Sequence, residues 1–252
     1  METITKRRSD APPGFFAAEA AGLRWLAEAG GARVVRVESV HDHEIVLERI
    51  RERSPDQESA HAFGAALAHT HAAGAPAFGS PPDDWDGPLF IGNRPMASAW
   101  ESSWGRFYAR DRVLPFLSIA RRVGGITEEQ EATVREACDR IAGGYFDDDE
   151  PAARIHGDLW NGNVLWGDDG VALIDPAAHG GHRETDLAML ALFGCPWLEE
   201  ILAGYQAATP LRAGWEARVP LHQLHPLAVH AAGHGASYGI ALQTAAEVVL
   251  AL

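Results

Sequence analysis

The sequence predicts an α+β fold in two lobes, a small sheet lobe over residues 1–54 and a mainly helical lobe over residues 55–252. Three observations predict it. Runs of β-branched residues cluster in the first fifty positions, helical periodicity dominates the rest, and the polar segment 51–58 has the composition of a hinge. With 252 residues the chain is long enough to bury a full core.

The first lobe is predicted to contain three strands and one helix. Residues 2–6 alternate in polarity as an edge strand does, and residues 15–29 form a helix that ends at a Gly-Gly pair. Residues 34–40 and 44–50 are β-branched runs, and the turn residues between them predict a hairpin.

One carboxylate of this lobe falls on an apolar helix face. Glu19 shares the helical spacing of Phe16, Leu23 and Leu26, and a carboxylate that faces a core needs a partner. Lys6, at the end of the first strand, is the candidate partner. The alternative is a solvated Glu19 at the rim of the apolar stripe, with Lys6 as a terminal charge.

The second lobe is predicted to be helical around one hairpin. Helices are expected over 60–73 and about 102–117, and a capping box at 127–130 begins another. Segment 74–95 is rich in Pro and Gly and is expected to be a loop. Further helices are predicted over 186–194, 197–207 and 222–252.

The most informative segment is the run from His156 to Trp166, followed by Asp175. His156, Asp158 and Asn163 have the His-x-Asp-(x4)-Asn spacing of a kinase catalytic loop. Apolar runs at 164–166 and 171–174 flank Gly-Asp-Asp-Gly, which predicts a hairpin with Asn163 opposite Ile174 and Asp175 beside Asn163.

These residue types are the ones that phosphoryl transfer needs. Asp158 is predicted to accept the proton of an attacking hydroxyl, while Asn163 and Asp175 hold Mg²⁺ on the phosphates of ATP. The alternative is a surface hairpin with an Asx-rich turn. We favour the kinase interpretation because the apolar runs at 164–166 and 171–174 should be buried, while three polar residues lie at their ends. His156 is expected to brace the loop, and Asp186 to hydrogen-bond its backbone unless it is only a helix N-terminal carboxylate.

The kinase interpretation also assigns the ATP side of the site. Kinases hold a strand lysine against the phosphates with a helix glutamate, which is the role predicted for Lys6 and Glu19. Glu48 and Ile50 lie where the last strand of the lobe passes into the connector, so their backbone groups are expected to meet the adenine edge. Trp104 lies among aromatic residues and arginines that could bind a sugar, although core packing is the commoner role.

Composition excludes several other functions. A net charge of −14 argues against nucleic acid as a partner, because that binding depends on Lys and Arg. No apolar stretch approaches the roughly 20 residues of a membrane span, and the N-terminus lacks a signal-peptide core. The two cysteines do not form a disulfide framework. A cytoplasmic protein without a membrane partner is expected.

The chain resembles the fructosamine-kinase (ketosamine 3-kinase) family, within the aminoglycoside- and choline-kinase-like group. The resemblance rests on His-Gly-Asp-Leu-Trp-Asn-Gly-Asn at 156–163, Ile-Asp-Pro-Ala at 174–177, Gly-His-Arg-Glu-x-Asp-Leu-Ala-Met at 181–189 and Phe-Ile-Gly at 90–92. It implies a protein-kinase-like fold and ATP- and Mg-dependent phosphorylation of a sugar hydroxyl, O3, on ketosamines such as fructosamine or ribulosamine. That activity is a deglycation repair. Trp160, inside the first motif, is a candidate substrate contact.

The chain departs from the family pattern in two respects. Pro88-Leu89 and Pro95-Met96 stand where the family usually has Asp-Asn and Pro-Gln, both on the substrate side. The resemblance also implies two strands and a Gly-rich loop ahead of Lys6, which have no counterpart in this sequence, so an open sheet edge, weak ATP affinity and low activity are expected.

The rival interpretations are another small-molecule phosphotransferase of this fold, acting on an aminoglycoside, choline or homoserine, and a non-catalytic pseudokinase.

Overall fold

The computed structural model describes residues 2–252 and opens with a three-stranded antiparallel sheet covered by a helix. The elements are β1 (Thr3–Arg7), α1 (Phe15–Glu28), β2 (Arg33–Val34), β3 (Val37–His41) and β4 (Glu44–Glu48). The strand order is β1-β4-β3, with Lys6 opposite Ile45. Ile45 and Leu47 alternate with more exposed neighbours and are buried, as expected of a sheet with one face on the core.

The predicted strand at 34–40 is wrong in one respect, because it is divided between two sheets. β2 pairs in parallel with β9 (Gly170–Leu173) of the second half of the chain, and β3 pairs with β4. Val34 and Val35 are both buried, and Val35 N donates to Leu173 O at 3.1 Å. Two consecutive buried residues do not fit a strand with one solvated face, so the chain changes sheets here.

The first half of the helical part contains one hairpin that the sequence did not predict. α2 (Gln57–Ala72) begins at Asp56, whose side chain accepts a hydrogen bond from Ser59 N. The segment expected to be a loop contains β5 (Leu89–Ile91) and β6 (Arg94–Met96), and Pro95 inside β6 obscured this strand. The aromatic helix is one continuous run of α3 (Trp104–Phe107), a π-helical turn (Tyr108–Val113) and α4 (Leu114–Arg122). α5 (Glu128–Ala142) has the predicted capping box.

The central hairpin has the predicted register. β7 (Ala153–Ile155) leads to a short 3₁₀ turn (Asn161–Asn163), which β8 (Val164–Gly167) and β9 follow. Val164 pairs with Leu173 and Gly167 with Gly170, and Ile174 N donates to Asn163 O at 3.2 Å. β10 (His179–Gly181) pairs with β7 and completes this region.

Four helices end the chain. They are α6 (Arg183–Leu192), α7 (Leu198–Ala208), α8 (Trp215–His234) and α9 (Ala236–Ala251). The single helix predicted over 222–252 begins earlier and is broken at Gly235, which has φ of 104°. A positive φ is accessible to glycine at little cost, so this residue is where the chain turns.

Two apolar clusters hold the elements together. One lies within the helical part, around residues such as Tyr108, Leu117 and Leu224. The other joins α1 and β4 to α2, the β8–β9 hairpin and α7.

The division of the chain at 54/55 into two lobes stays a prediction. Within residues 2–252, no helix has both the length and the apolar content needed to cross a bilayer.

Two glycines allow α2 and α7 to pack with their backbones in contact. A methyl group at Gly64 would overlap the carbonyl oxygen of Ile201, and one at Gly204 would overlap that of His61. The contact therefore admits no side chain from either position. It fixes the distance between α2 and α7, and each of these helices contributes a side chain to the candidate site.

We expect Gly204→Ala to lower the free energy of unfolding by about 1–3 kcal/mol, because the added methyl group overpacks the interface. Gly233→Ala is the matched control. It is an exposed helical glycine whose added methyl group would meet only the Arg94 side chain, at 3.6 Å. The control should be neutral or more stable by up to about 1 kcal/mol, since alanine favours helix. Denaturant unfolding measures both variants, and equal effects would contradict close packing.

Candidate active site

His156 braces the loop that follows β7. Its ring is buried, Nε2 donates to Ile174 O at 2.8 Å, and Nδ1 accepts from Asp158 N at 3.3 Å. Burial lowers the pKa of His156, so the ring is neutral near pH 7. These two bonds fix the backbone of the loop against the β8–β9 hairpin.

Asp186 holds the same loop from the first turn of α6. One carboxylate oxygen accepts from His156 N at 2.7 Å and the other from Gly157 N at 2.9 Å. Asp186 is 1% exposed. Burial alone would raise the pKa of Asp186, but the hydrogen bonds and the neighbouring His71 outweigh it and lower that pKa, so the carboxylate stays charged.

His71 and Tyr205 form a hydrogen-bonded chain that ends at Asp186. The sequence did not predict this role. His71 Nε2 lies 3.1 Å from the Asp186 carboxylate, and Nδ1 lies 2.8 Å from Tyr205 Oη. His71 comes from α2 and Tyr205 from α7, the two helices in glycine contact. The available signal was a histidine on the buried face of α2, because such a ring needs a polar partner.

Asp158 and Asn163 lie together at the open end of the hairpin. Asn163 Nδ2 donates to Asp158 O at 2.7 Å and approaches an Asp158 carboxylate oxygen at 3.4 Å. Burial raises the pKa of Asp158 to about 7. A carboxylate with a pKa near neutral accepts a proton effectively at that pH.

Lys6 lies between two carboxylates. Its Nζ is 2.8 Å from Glu19 Oε1 and also contacts an oxygen of Asp175. Burial by itself lowers the pKa of Lys6, but the two carboxylates outweigh it and raise that pKa, so the ammonium group stays charged. The pairing of Lys6 with Glu19 is the one expected from the apolar helix face.

Asn163 and Asp175 fit a hard divalent cation. Since Asn163 Nδ2 donates to Asp158 O, its Oδ1 is the atom left to bind a metal. Asp175 has φ of 54°, a left-handed conformation that Asp tolerates and that is often found at functional sites. Its side chain is 41% exposed. An amide oxygen and a carboxylate are ligands that suit Mg²⁺.

A second group of possible ligands does not fit a metal. His182, Glu184 and His222 present atoms within 4.8 Å of one another. Arg218 already binds both oxygens of Glu184. His182 Nδ1 accepts from Glu184 N, so its Nε2 carries the proton and points at Asp148. This cluster is a buried charge network.

Two cavities meet at Lys6 and Asp175. The first, of about 420 Å³, also contains Asp158, Asn163, Trp160, Glu19 and Phe90. The second, of about 550 Å³, contains Leu47, Glu48, Ile50, Leu165 and Ile174. Glu48 and Ile50 thus lie in the second cavity, away from Asp158. The arrangement offers one compartment for each of two reactants, with the same two charged residues at their junction.

The two tryptophans proposed as candidate substrate contacts lie in different environments. Trp160 is 41% exposed and lines the first cavity. Trp104 is 4% exposed and stacks on Tyr108 in the helical core, with ring centroids 4.8 Å apart. Trp104 is therefore a core residue, and its prediction as a substrate contact is not supported. Its helical spacing was compatible with either role.

This fold, with a partly buried loop carboxylate beside the amide of Asn163 and the carboxylate of Asp175, is that of a kinase-like phosphotransferase. The sequence model of a family described as fructosamine kinase matches residues 4–251. The chain belongs to the fructosamine kinase family, and it is a kinase.

Similar proteins agree with this assignment. A probable ketoamine kinase of Enterococcus faecium is 32% identical over 234 residues, which is 90% of this chain and 79% of the relative. A crystal structure from Thermobifida fusca, assigned as a fructosamine-3-kinase, is 46% identical, with a TM-score of 0.92 over 99% of this chain and 86% of the other. The aminoglycoside phosphotransferase APH(4)-Ia shares the fold alone, at 17% identity and a TM-score of 0.60 over 99% and 86% of the two chains.

We expect Asp186→Asn to cost about 1–3 kcal/mol of stability, because the new amide group leaves a buried loop N–H or His71 without an acceptor. The turnover number should fall at least roughly ten-fold, since the backbone that carries Asp158 is released. Asp169→Asn, with a side chain 85% exposed on the β8–β9 turn, is the control. The free energy of unfolding and the turnover number are measured for both variants. Equal values in Asp186→Asn and Asp169→Asn would contradict the role of Asp186.

Proposed function

We propose that this protein transfers the γ-phosphate of ATP, with Mg²⁺, to the 3-hydroxyl of a ketosamine such as a fructosamine or ribulosamine. The observation that supports it most directly is the junction of the two cavities. Asp158 lies on one side of Lys6 and Asp175, and a cavity of about 550 Å³ with both charged and apolar lining residues lies on the other. A sugar hydroxyl and a nucleotide phosphate can therefore approach the same point.

The second cavity has the chemistry of a nucleotide site. Ile50, Leu165 and Ile174 offer apolar surface to the base, and the connector at Glu48 and Ile50 offers backbone groups to its edge. Lys6, held by Glu19, is placed to contact the phosphates at the junction. These residues form the ATP side of the proposal.

Asp158 orients the acceptor hydroxyl and takes its proton as the phosphoryl group transfers. Asn163 and Asp175 would hold Mg²⁺, which when bound neutralises charge on the phosphates. His156 and Asp186 keep the Asp158 backbone in place through the hydrogen bonds already described. Trp160, at the rim of the acceptor cavity, contacts the sugar or its amine.

The family supports the acceptor class. Relatives are named probable ketoamine kinase, and a mouse protein that is 31% identical over 147 residues, 58% of this chain and 47% of its own length, is named ketosamine-3-kinase. We propose that the biological role is repair of sugar adducts on amines, in the cytoplasm. The departures at Pro88-Leu89 and Pro95-Met96 lie at the hairpin that lines the acceptor cavity, so they bear on which sugar is accepted.

The direct test is phosphate transfer from Mg-ATP to fructosyl-lysine and ribulosyl-lysine. Asp158→Asn should abolish transfer because its amide cannot accept the proton. Asp168→Asn, on the exposed turn of the same hairpin, should not. Choline and an aminoglycoside serve as further acceptors. Transfer to these alone would replace the ketosamine proposal, and no transfer to any acceptor would contradict it.

We expect Glu19→Gln to lower kcat/KM for ATP roughly ten-fold, the effect of losing one charged hydrogen bond on the Lys6 ammonium group. Glu19 also lines the acceptor cavity, but its side chain is only 10% exposed and is paired with Lys6, so the KM for the acceptor should change less than the KM for ATP. The control is Glu38→Gln, which removes an ion pair with Arg36 at β3 of the same sheet, where neither residue lines either cavity. Steady-state kinetics with each substrate varied in turn gives both values. Equal loss in the two variants would contradict a nucleotide-side role for Glu19.

A further inference from the structure

Arg112 is a buried cation in the π-helical turn of the aromatic helix. It is 1% exposed, so it cannot reach a sugar in either cavity. Nε donates to His179 Nε2 at 3.3 Å, and Nη1 donates to Ala97 O at 2.8 Å and to Asp111 O at 3.0 Å. The guanidinium carbon lies 4.5 Å from the ring centroid of Phe107. The hydrogen-bond partners of this cation are therefore all neutral groups.

Core packing does not account for a cation at this position. A guanidinium buried among neutral partners costs free energy, and an apolar side chain of similar volume often stabilises a core as well or better. The helix also widens into a π-helical turn here, a feature that is rare and frequent at functional sites. The hydrogen bonds that Arg112 makes are left as the reason for the charge.

His179 connects Arg112 to the strip of chain behind the catalytic loop. His179 is 3% exposed, and burial lowers its pKa well below the ordinary value, so the ring is neutral near pH 7. Its Nδ1 donates to Ala177 O at 2.7 Å, which leaves Nε2 as the acceptor for Arg112. Arg112 thereby fixes both the tautomer and the orientation of the His179 ring.

The His179 ring and Ala177 O lie directly against Gly157. Gly157 has φ of 80°, and a methyl group on it would overlap Ala177 O and lie 3.1 Å from His179 Cε1. Asp186 accepts a hydrogen bond from the N–H of the same glycine. Gly157 is therefore held between two supports. Because it directly precedes Asp158, its position determines where the Asp158 backbone begins.

Arg112 also holds the segment that follows β6. Ala97 comes directly after that strand, and the β5–β6 hairpin contributes Phe90 and Asn93 to the first cavity. One guanidinium thus ties the hairpin on one side of this cavity to the strip at 177–179, which adjoins the catalytic loop.

We propose that Arg112 is a positioning residue for phosphoryl transfer. It acts through His179 and Ala177 to hold Gly157, and with it the Asp158 carboxylate, where that group can accept the proton of the hydroxyl. Arg112 itself touches neither reactant. The catalytic part of this inference rests on the proposed function, whereas the hold on the loop does not.

Amide hydrogen exchange tests the hold on the loop without any substrate. Arg112→Met keeps most of the volume and removes every donor, so exchange in segment 155–160 should become at least roughly ten-fold faster. Arg112→Lys keeps the charge but lacks the planar fork, and it should lie between the two. Arg140→Met is the matched control and should leave this segment unchanged. Arg140 also donates to a backbone carbonyl, Leu250 O, and stacks on a ring, that of Tyr145.

Steady-state kinetics with Mg-ATP and fructosyl-lysine or ribulosyl-lysine tests the catalytic part. Arg112→Met should lower kcat roughly ten- to a hundred-fold through misplacement of Asp158, and both KM values should stay within about two-fold. His179→Phe should have a similar effect. Because the two residues act in one chain of contacts, the double variant should lose little more than the worse single variant.

Unchanged exchange in Arg112→Met, or an equal change in Arg140→Met, would overturn the hold on the loop. Faster exchange with an unchanged kcat, or losses in the two single variants that multiply in the double variant, would overturn the positioning role. If the unmodified chain phosphorylates neither acceptor, the proposed function fails and the catalytic part of the inference falls with it. The exchange rates then decide alone whether Arg112 holds the loop.

Discussion

The buried carboxylate of Asp186 is the constraint on which the rest of the site depends. A charge that is 1% exposed must be fully hydrogen-bonded, and the two loop N–H groups and His71 provide this. Its partners come from α2 and from the loop after β7, while Tyr205 of α7 holds His71. The glycine contact between α2 and α7 therefore matters for chemistry as well as packing, because it sets where His71 and Tyr205 stand.

A second constraint acts at the junction of the cavities. Lys6 is charged and lies between Glu19 and Asp175, so the first sheet is connected electrostatically to the end of the β8–β9 hairpin. Asp175 faces both cavities and, with Asn163, supplies oxygens of the kind that Mg²⁺ prefers. Asp158 is buried enough to have a pKa of about 7, and Asp175 contributes to this in a smaller degree than burial. The same few charged residues thus determine the electrostatic environment where the two cavities meet.

Local patterns in the sequence predicted the parts of the structure that depend on neighbours in the chain. The register of the β8–β9 hairpin followed from its turn, the start of α5 from its capping box, and the Lys6–Glu19 pair from a carboxylate on an apolar face. The kinase-like fold and the family are confirmed by the comparisons, whereas the roles of the individual site residues stay predictions.

Features that depend on distant parts of the chain could not be predicted. The pairing of β2 with β9 joins residues about 140 positions apart. The β5–β6 hairpin contains a proline that argues against a strand, and its neighbours lie in α1 and α8. Core packing was the commoner expectation for Trp104, but a sugar contact stayed open because helical spacing does not reveal which helix will cover the ring. The role of His71 likewise depends on Tyr205 and Asp186, which lie far along the chain.

The central claim is that one acceptor and one nucleotide meet at Lys6 and Asp175. The most direct test is a crystal structure with Mg²⁺, a non-hydrolysable ATP analogue and a lysine-derived ketosamine. The account predicts the ketose 3-hydroxyl about 2.6–3.2 Å from the Asp158 carboxylate and a metal ion bound by Asn163 and Asp175 at about 2.0–2.1 Å. It also predicts the base beside Ile50. A nucleotide bound elsewhere, or an acceptor whose hydroxyls all lie away from Asp158, would contradict it.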